Sequence, residues 1–130
     1  MEGRGIVSGY SAAALLGADC ARDPEVAAEV TVPGGGQRAH PGLRVRRDRL
    51  PPGETTDAGG VRCTSPLRTA FDLARQADLV EAVVAVDRLS NVHRFQPDLL
   101  LNFAVHYRGA RGTSRLFDVL AQACPYERPR

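Results

Sequence analysis

Four aspartates are the acids in this chain that could perform general acid–base or metal chemistry. They are Asp57, Asp72, Asp87 and Asp118. Paired carboxylates can exchange protons with a substrate or hold a divalent cation. Their spacing fits no recognised catalytic or metal-binding pattern, and Asp72 and Asp87 fall on the polar faces of predicted helices. We therefore expect solvent-exposed acids and no enzymatic activity.

Ser11 is the one candidate nucleophile with a suggestive context. It follows Ile6, Val7 and Gly9 in a segment that loosely resembles the nucleophile elbow of hydrolases. The last glycine of that pattern is replaced by Ala13, and the fold that uses the elbow is larger. We interpret Ser11 as the N-cap of a short helix that stops at Gly17.

The 17 basic residues are all arginine, because the sequence contains no lysine. A P-loop, a Schiff-base enzyme and the nuclease core of paired acids followed by lysine all need that ammonium group. These three classes are excluded. The three cysteines are far apart, no two histidines lie at i, i+4, and we expect buried thiols, no disulfide, no metal and no cofactor.

Arginines cluster in a predicted strand, Leu43–Arg47. Alternation would turn Leu43, Val45 and Arg47 to the core and Arg44 and Arg46 to solvent. Two outward arginines could contact phosphates, or they could simply keep an edge strand soluble. Both interpretations stay open.

A second basic group brackets a predicted helix, with aromatic residues beside it. It resembles a phosphate-binding rim, but cations also favour helix C-termini. The candidate residues of the two groups for binding nucleic acid or a protein partner are Arg44, Arg46, Arg47, Arg49, Arg94, Arg108, Arg111 and Arg115, with His93 beside them.

Short strands fill the first half of the chain. Residues 29–32 alternate in polarity and lead to Gly34, Gly35 and Gly36, which predict a flexible hairpin connection to the next strand. Thr55-Thr56 and residues 61–63 flank a turn-rich stretch and predict a second hairpin.

The second half is helical. Ser65 as N-cap and Pro66 at the first helical position open a helix whose apolar face contains Leu67, Ala70, Phe71 and Ala74. Further helices are predicted from Asp78, from Gln96-Pro97 and from Gly112 or Thr113. This order predicts an α+β fold: a small, mostly antiparallel sheet packed with a C-terminal bundle of about four helices. We expect one module over residues 1–124, a disordered tail at 125–130, no membrane span and a cytoplasmic location.

Four segments together resemble the AbiEi-type antitoxin superfamily, and the resemblance extends from Ile6 to Ala123. It is closest to the actinobacterial branch, in which this module often precedes a Vsr-like endonuclease domain. The segments are residues 7–15, residues 29–33, residues 41–45 and residues 61–74.

The resemblance also has departures. The family's winged helix does not precede the module here, the chain stops where a nuclease domain would begin, and Gly9 stands where relatives typically have histidine. We expect only the middle module of the family.

The resemblance implies a non-catalytic antitoxin-like or regulatory module that binds a protein, such as a nucleotidyltransferase-type toxin. Two alternatives are sequence-tolerant DNA binding through the arginine strand and a degenerate remnant of a Vsr-like endonuclease. The sequence does not fix the oligomeric state. We expect structural roles for Ser11, Ser65, Pro66, Arg68 and Asp72.

Overall fold

The computed structural model describes residues 5–19, 28–32, 42–107 and 115–123. In these ranges five strands and five α-helices follow one another, with short 3-10 turns at Pro52–Glu54 and Pro97–Leu100. The strands are β1 (Ile6–Val7), β2 (Ala28–Val32), β3 (Leu43–Arg47), β4 (Thr55–Ala58) and β5 (Val61–Thr64). The helices are α1 (Gly9–Leu15), α2 (Pro66–Gln76), α3 (Leu79–His93), α4 (Leu101–His106) and α5 (Arg115–Ala123).

The five strands form one mixed sheet in the order β3-β2-β1-β5-β4. β2 runs parallel to β3 and β1 runs parallel to β5, whereas the β1/β2 and β4/β5 pairs are antiparallel. The prediction of a small, mostly antiparallel sheet with about four helices was therefore wrong. Alternation of polar and apolar residues identifies a strand and its faces, but it carries no information about strand direction.

The connection through Gly34, Gly35 and Gly36 is also corrected. A hairpin joins antiparallel strands, and β2 and β3 are parallel, with Val30 opposite Val45. The glycines themselves lie outside the described residues. The second predicted hairpin is confirmed: β4 and β5 are antiparallel, and Gly59 and Gly60 both have positive φ in the turn between them.

The main hydrophobic core lies among the helices. Phe71 of α2 stacks on Phe103 at 4.9 Å between ring centroids and contacts the Tyr107 ring at 5.5 Å. Leu89 of α3 and Leu116 of α5 are fully buried in the same cluster. α1, the short helix predicted separately from the C-terminal bundle, packs on both α2 and β2.

The sheet meets the helices through a polar face. Thr31 of β2 lies opposite Arg46 of β3 in the parallel register, so both side chains project from one face. The Thr31 hydroxyl is hydrogen-bonded to Ser8 Oγ at 2.8 Å, directly before α1. The buried Val32 and Cys63 do not belong to the helical core cluster. Polar contacts therefore join this part of the sheet to the helical layer.

The sequence predicted the start of α2 correctly and the start of α1 incorrectly. Ser65 Oγ accepts a hydrogen bond from Arg68 N at 3.2 Å, and Pro66 is the first residue of α2, as predicted. Ser11 is not an N-cap, because α1 begins at Gly9. Ser11 Oγ instead accepts a hydrogen bond from Glu29 N at 3.0 Å and ties α1 to β2.

Among the described residues, no helix has the length and apolar character that a membrane crossing requires.

Candidate functional site

One face of α2 is charged. Arg68, Asp72, Arg75 and Gln76 recur at spacings of four, three and one residues, which places them on one side of a helix with 3.6 residues per turn. The other side contributes Ala70, Phe71 and Ala74 to the core. The Ser65 cap and Pro66 fix where the helix begins, and they therefore fix the direction in which this charged face points.

Arg68 is the centre of the charged face, and its side chain is 0% exposed. Its Nε donates to Asp72 Oδ1 at 2.9 Å, and its Nη2 donates to Asp48 Oδ2 at 2.8 Å. Its Nη1 donates to Glu54 Oε1 at 2.8 Å and to the Arg49 carbonyl oxygen at 2.9 Å. One guanidinium thus joins α2 to the segment between β3 and β4.

Asp72 is shared by two arginines. Its Oδ1 also accepts a hydrogen bond from Arg75 Nη2 at 2.6 Å, and Arg75 Nη2 lies 3.1 Å from Asp48 Oδ2. The Arg75 guanidinium carbon lies 4.4 Å from the centroid of the Phe71 ring. Asp72 is 2% exposed, so the prediction of a solvent-exposed acid on a polar helix face was wrong.

Tyr107, at the end of α4, also contacts Arg68 and Glu54. Its hydroxyl accepts a hydrogen bond from Arg68 Nη1 at 3.1 Å and donates one to Glu54 Oε1 at 2.8 Å. The Arg49 guanidinium carbon lies 4.8 Å from the centroid of its ring. We call this cluster the α2 charge network; its members are Arg68, Asp72, Arg75, Asp48, Glu54 and Tyr107.

Burial and ion pairing shift the pKa values of Arg68 and Asp72 in opposite directions. Burial disfavours the charged form of Arg68, but the charge of Asp72 and the hydrogen bonds to Glu54 and Asp72 outweigh it and raise its pKa. Burial raises the pKa of Asp72, and the charges of Arg68 and Arg75 oppose that rise. Burial and the hydrogen bond to Glu54 raise the pKa of Tyr107. The guanidinium of Arg68 therefore stays charged, and the phenol of Tyr107 stays neutral at physiological pH.

A second, partly buried ion pair lies between the edge strand β3 and its neighbour β2. Arg46 Nη1 of β3 donates to Glu29 Oε1 of β2 at 2.8 Å, and the Glu29 side chain is only 4% exposed. Arg46, with a side chain 26% exposed, was predicted to point to solvent. It turns instead to the face of the sheet that meets the helices, because the parallel register places it beside Thr31 on that face.

A pocket of about 290 Å³ opens where the end of β3 meets α2. Residues from the sheet, from the segment after β3 and from the charged face of α2 contribute to it. We call it the β3 pocket; it is lined by Thr31, Arg46, Arg47, Asp48, Arg68, Asp72, Arg75 and Gln76.

The first group of predicted arginines lies around this pocket. Arg46 and Arg47 line it, Arg47 and Arg49 are exposed, and Arg44 is partly buried on β3. Arg49 Nη2 also donates to the His106 carbonyl oxygen at 3.4 Å, so the end of β3 lies close to the end of α4.

The second predicted group is only partly described. Arg94 is exposed and ends α3 in the left-handed conformation, and Arg115 begins α5. His93 Nε2 is hydrogen-bonded to the Leu16 carbonyl oxygen at 2.8 Å. Arg108 and Arg111, together with Cys20, His40 and Cys124, lie outside the described residues.

Sequence reasoning missed Asp48, Glu54 and Arg75 as members of a buried network. The spacing of Arg68, Asp72 and Arg75 along α2 was the available signal, because it aligns opposite charges on one helical face. Asp57, Asp87 and Asp118 are exposed, as predicted. In the described ranges, no group of three or more His, Cys, Asp and Glu side chains could hold a metal ion.

Comparison of the sequence with known proteins gives two findings. Residues 5–122 match the family model described as the AbiEi antitoxin C-terminal domain. A search of the curated proteins found no match.

Proposed function

Because the chain belongs to the family of AbiEi antitoxin C-terminal domains, we propose that it is a non-catalytic module that binds a toxin protein in the cytoplasm. The family match is the observation that carries this proposal, since it supports a role related to toxin–antitoxin systems. The partner we propose is a nucleotidyltransferase-type toxin.

Exposed apolar residues on the outer side of α3 support a protein partner. Val80 is 74% exposed and Val84, one turn later, is 44% exposed. Their helix buries Ala82, Ala85, Val86 and Leu89 on its other side, so the outer valines are not needed for the core. Covering both valines with a toxin surface removes apolar area from water at a gain of roughly 25 cal/mol per Å².

Co-purification tests the proposal directly. The tagged chain is co-expressed with the protein encoded by each gene adjacent to its own, and recovery of that protein is measured together with relief of its toxicity. We expect a stoichiometric complex and restored growth. If the neighbouring protein neither co-purifies nor loses toxicity, the proposal is wrong.

A matched pair of variants locates the surface. Val80→Glu places a charge on the outer side of α3, and Val61→Glu places the same charge at a 40% exposed valine of β5. We expect the α3 variant to lose the complex and the β5 variant to keep it. Thermal unfolding of both variants checks that the fold is retained.

Sequence-tolerant DNA binding is the second candidate function. The observation in its favour is the position of β3 at the edge of the sheet, with exposed Arg47 and Arg49 near its end. Arg46→Ala is a poor test, because it would leave the buried Glu29 carboxylate without its cation. Loss of a salt-sensitive electrophoretic shift in Arg47→Ala with Arg49→Ala supports this candidate, and a shift unchanged by these substitutions rejects it.

The proposal assigns no catalytic step to the α2 charge network. Asp48, Asp72 and Glu54 each accept hydrogen bonds from a guanidinium at 2.6–3.1 Å, so their oxygens hold Arg68 and Arg75 in place. A nucleic-acid cleavage assay supplemented with divalent metal should show no turnover. Turnover by the purified chain would contradict the assignment.

A further inference from the structure

The β3 pocket brings together more positive than negative groups. Four guanidiniums line it, those of Arg46, Arg47, Arg68 and Arg75, against the carboxylates of Asp48 and Asp72. Such a concentration of forked N–H donors around one pocket is typical of sites that bind phosphate or carboxylate groups. Some of these charges are neutralised within the protein, and others remain available to a ligand.

Three of the four guanidiniums are neutralised by carboxylates of the protein itself. Arg68 and Arg75 share Asp48 and Asp72, and Arg68 also bonds Glu54. Arg46 pairs with Glu29 through Nη1, while about a quarter of its side chain, 26%, stays exposed. These pairs hold the inner guanidiniums rigid without needing a ligand.

Arg47 is different from the other three arginines. Its side chain is exposed and lines the pocket, and no carboxylate of the described residues lies within ion-pair distance of it. Within the described part of the chain it therefore supplies a positive charge that no carboxylate compensates. Arg46 also lines the pocket, and its partly exposed side chain can present a second guanidinium to a ligand there.

Gln76 supplies an independent observation inside the same pocket. Its Oε1 is buried, and among the described residues it meets no hydrogen-bond partner. A buried amide oxygen without a partner destabilises the fold, so such groups are normally completed by a ligand or by water. Rotation of the amide by half a turn places its NH₂ at the same point, where it donates to a ligand oxygen.

We propose that the β3 pocket binds a phosphate monoester, with Arg46 and Arg47 holding the phosphate oxygens and the Gln76 amide donating to the ligand from inside. A monoester carries close to two negative charges at neutral pH, which suits two adjacent guanidiniums. A volume of about 290 Å³ lies at the small end of ligand pockets and accepts a mononucleotide or the end of a single strand, but no duplex. Binding of a phosphate monoester in this pocket does not require that the chain bind a toxin.

Calorimetric titration with adenosine 5′-monophosphate and with adenosine tests the role of the phosphate. We expect the monophosphate to bind and adenosine to bind at least about tenfold more weakly, since charge-assisted bonds are lost. A single-stranded thymidine oligomer with and without a 5′-phosphate separates the two sources of the group. Tighter binding of either phosphorylated compound supports the site and identifies its source.

Variants assign the binding to this pocket. Arg47→Ala should weaken binding of the phosphorylated compound by about tenfold or more, and the exposed Arg88→Ala of α3 should not change it. Gln76→Leu should also weaken binding while leaving stability equal or higher, because it removes a buried polar group that lacks a partner. A purely structural Gln76 would lose stability instead.

Three outcomes would overturn the proposal. The first is no binding of any phosphorylated compound at millimolar concentration. The second is equal binding of each phosphorylated compound and its unphosphorylated counterpart, for the nucleoside and for the oligomer alike, which shows that the phosphate monoester is not recognised. The third is unchanged binding in Arg47→Ala.

Discussion

Gly9 lies directly against the carboxylate of Glu29. A β-carbon on residue 9 would stand 2.9 Å from the carboxyl carbon of Glu29 and would overlap its Oε1. Gly9 also has φ +58, a left-handed conformation that side chains rarely adopt.

Gly9→Ala should therefore destabilise the fold. The left-handed conformation costs roughly 1–2 kcal/mol, and the contact with Glu29 adds an overpacking cost of about 1–3 kcal/mol. Gly17→Ala is the matched control, because Gly17 has φ +84 with open space around it. Urea unfolding should show a larger loss for Gly9→Ala; equal losses would mean that the contact with Glu29 has no energetic effect.

Arg68→Ala should be the most destabilising change in the α2 charge network. It leaves Asp72, Asp48 and Glu54 facing one another without their shared cation, and breaking a buried ion pair from one side costs about 3–5 kcal/mol. Arg88→Ala removes an exposed arginine of α3 and should change stability by less than about 0.5 kcal/mol. Chemical denaturation measures both, and a loss below about 1 kcal/mol for Arg68→Ala would contradict the network's role.

Cys63 should resist thiol reagents in the folded protein. It is 0% exposed, and burial, followed by the charge of Asp57, raises the pKa of its thiol. The unfolded thiol ionises near pH 8.5, whereas the folded thiol keeps its proton to higher pH. Its contribution to stability is therefore complete below about pH 8.5 and is lost as pH rises further.

Two measurements check the behaviour of Cys63. In a chain with Cys20→Ser and Cys124→Ser, an aromatic disulfide reagent should react rapidly only after denaturant is added. Adding Cys63→Ala should reduce the fall in unfolding free energy above pH 9. Fast reaction in the native state would show that the thiol is accessible.

Ser65→Ala should cost about 1 kcal/mol, because Ser65 Oγ accepts a hydrogen bond from Arg68 N at the start of α2. Ser65→Asp keeps an acceptor and adds a favourable charge at the helix N-terminus, so it should retain most of the stability. Thermal unfolding distinguishes the two. Equal losses would mean that the cap does not stabilise α2.

The sequence predicted elements better than their arrangement. Leu43–Arg47 as a strand, the β4/β5 hairpin and the start of α2 at Ser65 followed from local signals that the structure confirms. The parallel pairing of β2 with β3 did not follow, and neither did the position of β1 between β2 and β5. Local alternation contains nothing about a strand that arrives from elsewhere in the chain.

The candidate site was likewise predicted only in part. Arg68 and Asp72 were predicted to be structural, but Asp72 was placed on an exposed face because charged residues are rarely buried without partners. The partners Asp48 and Glu54 come from the segment between β3 and β4, and Tyr107 comes from the end of α4. Only tertiary structure brings these two segments to the guanidinium of Arg68.

The bonds that converge on Arg68 make distant parts of the chain open together. Amide hydrogens of the segment from Asp48 to Glu54, of α2 and of the end of α4 are expected to exchange with solvent as one cooperative unit, with nearly equal opening free energies. The junction of sheet and helices is therefore expected to open as a whole and not segment by segment.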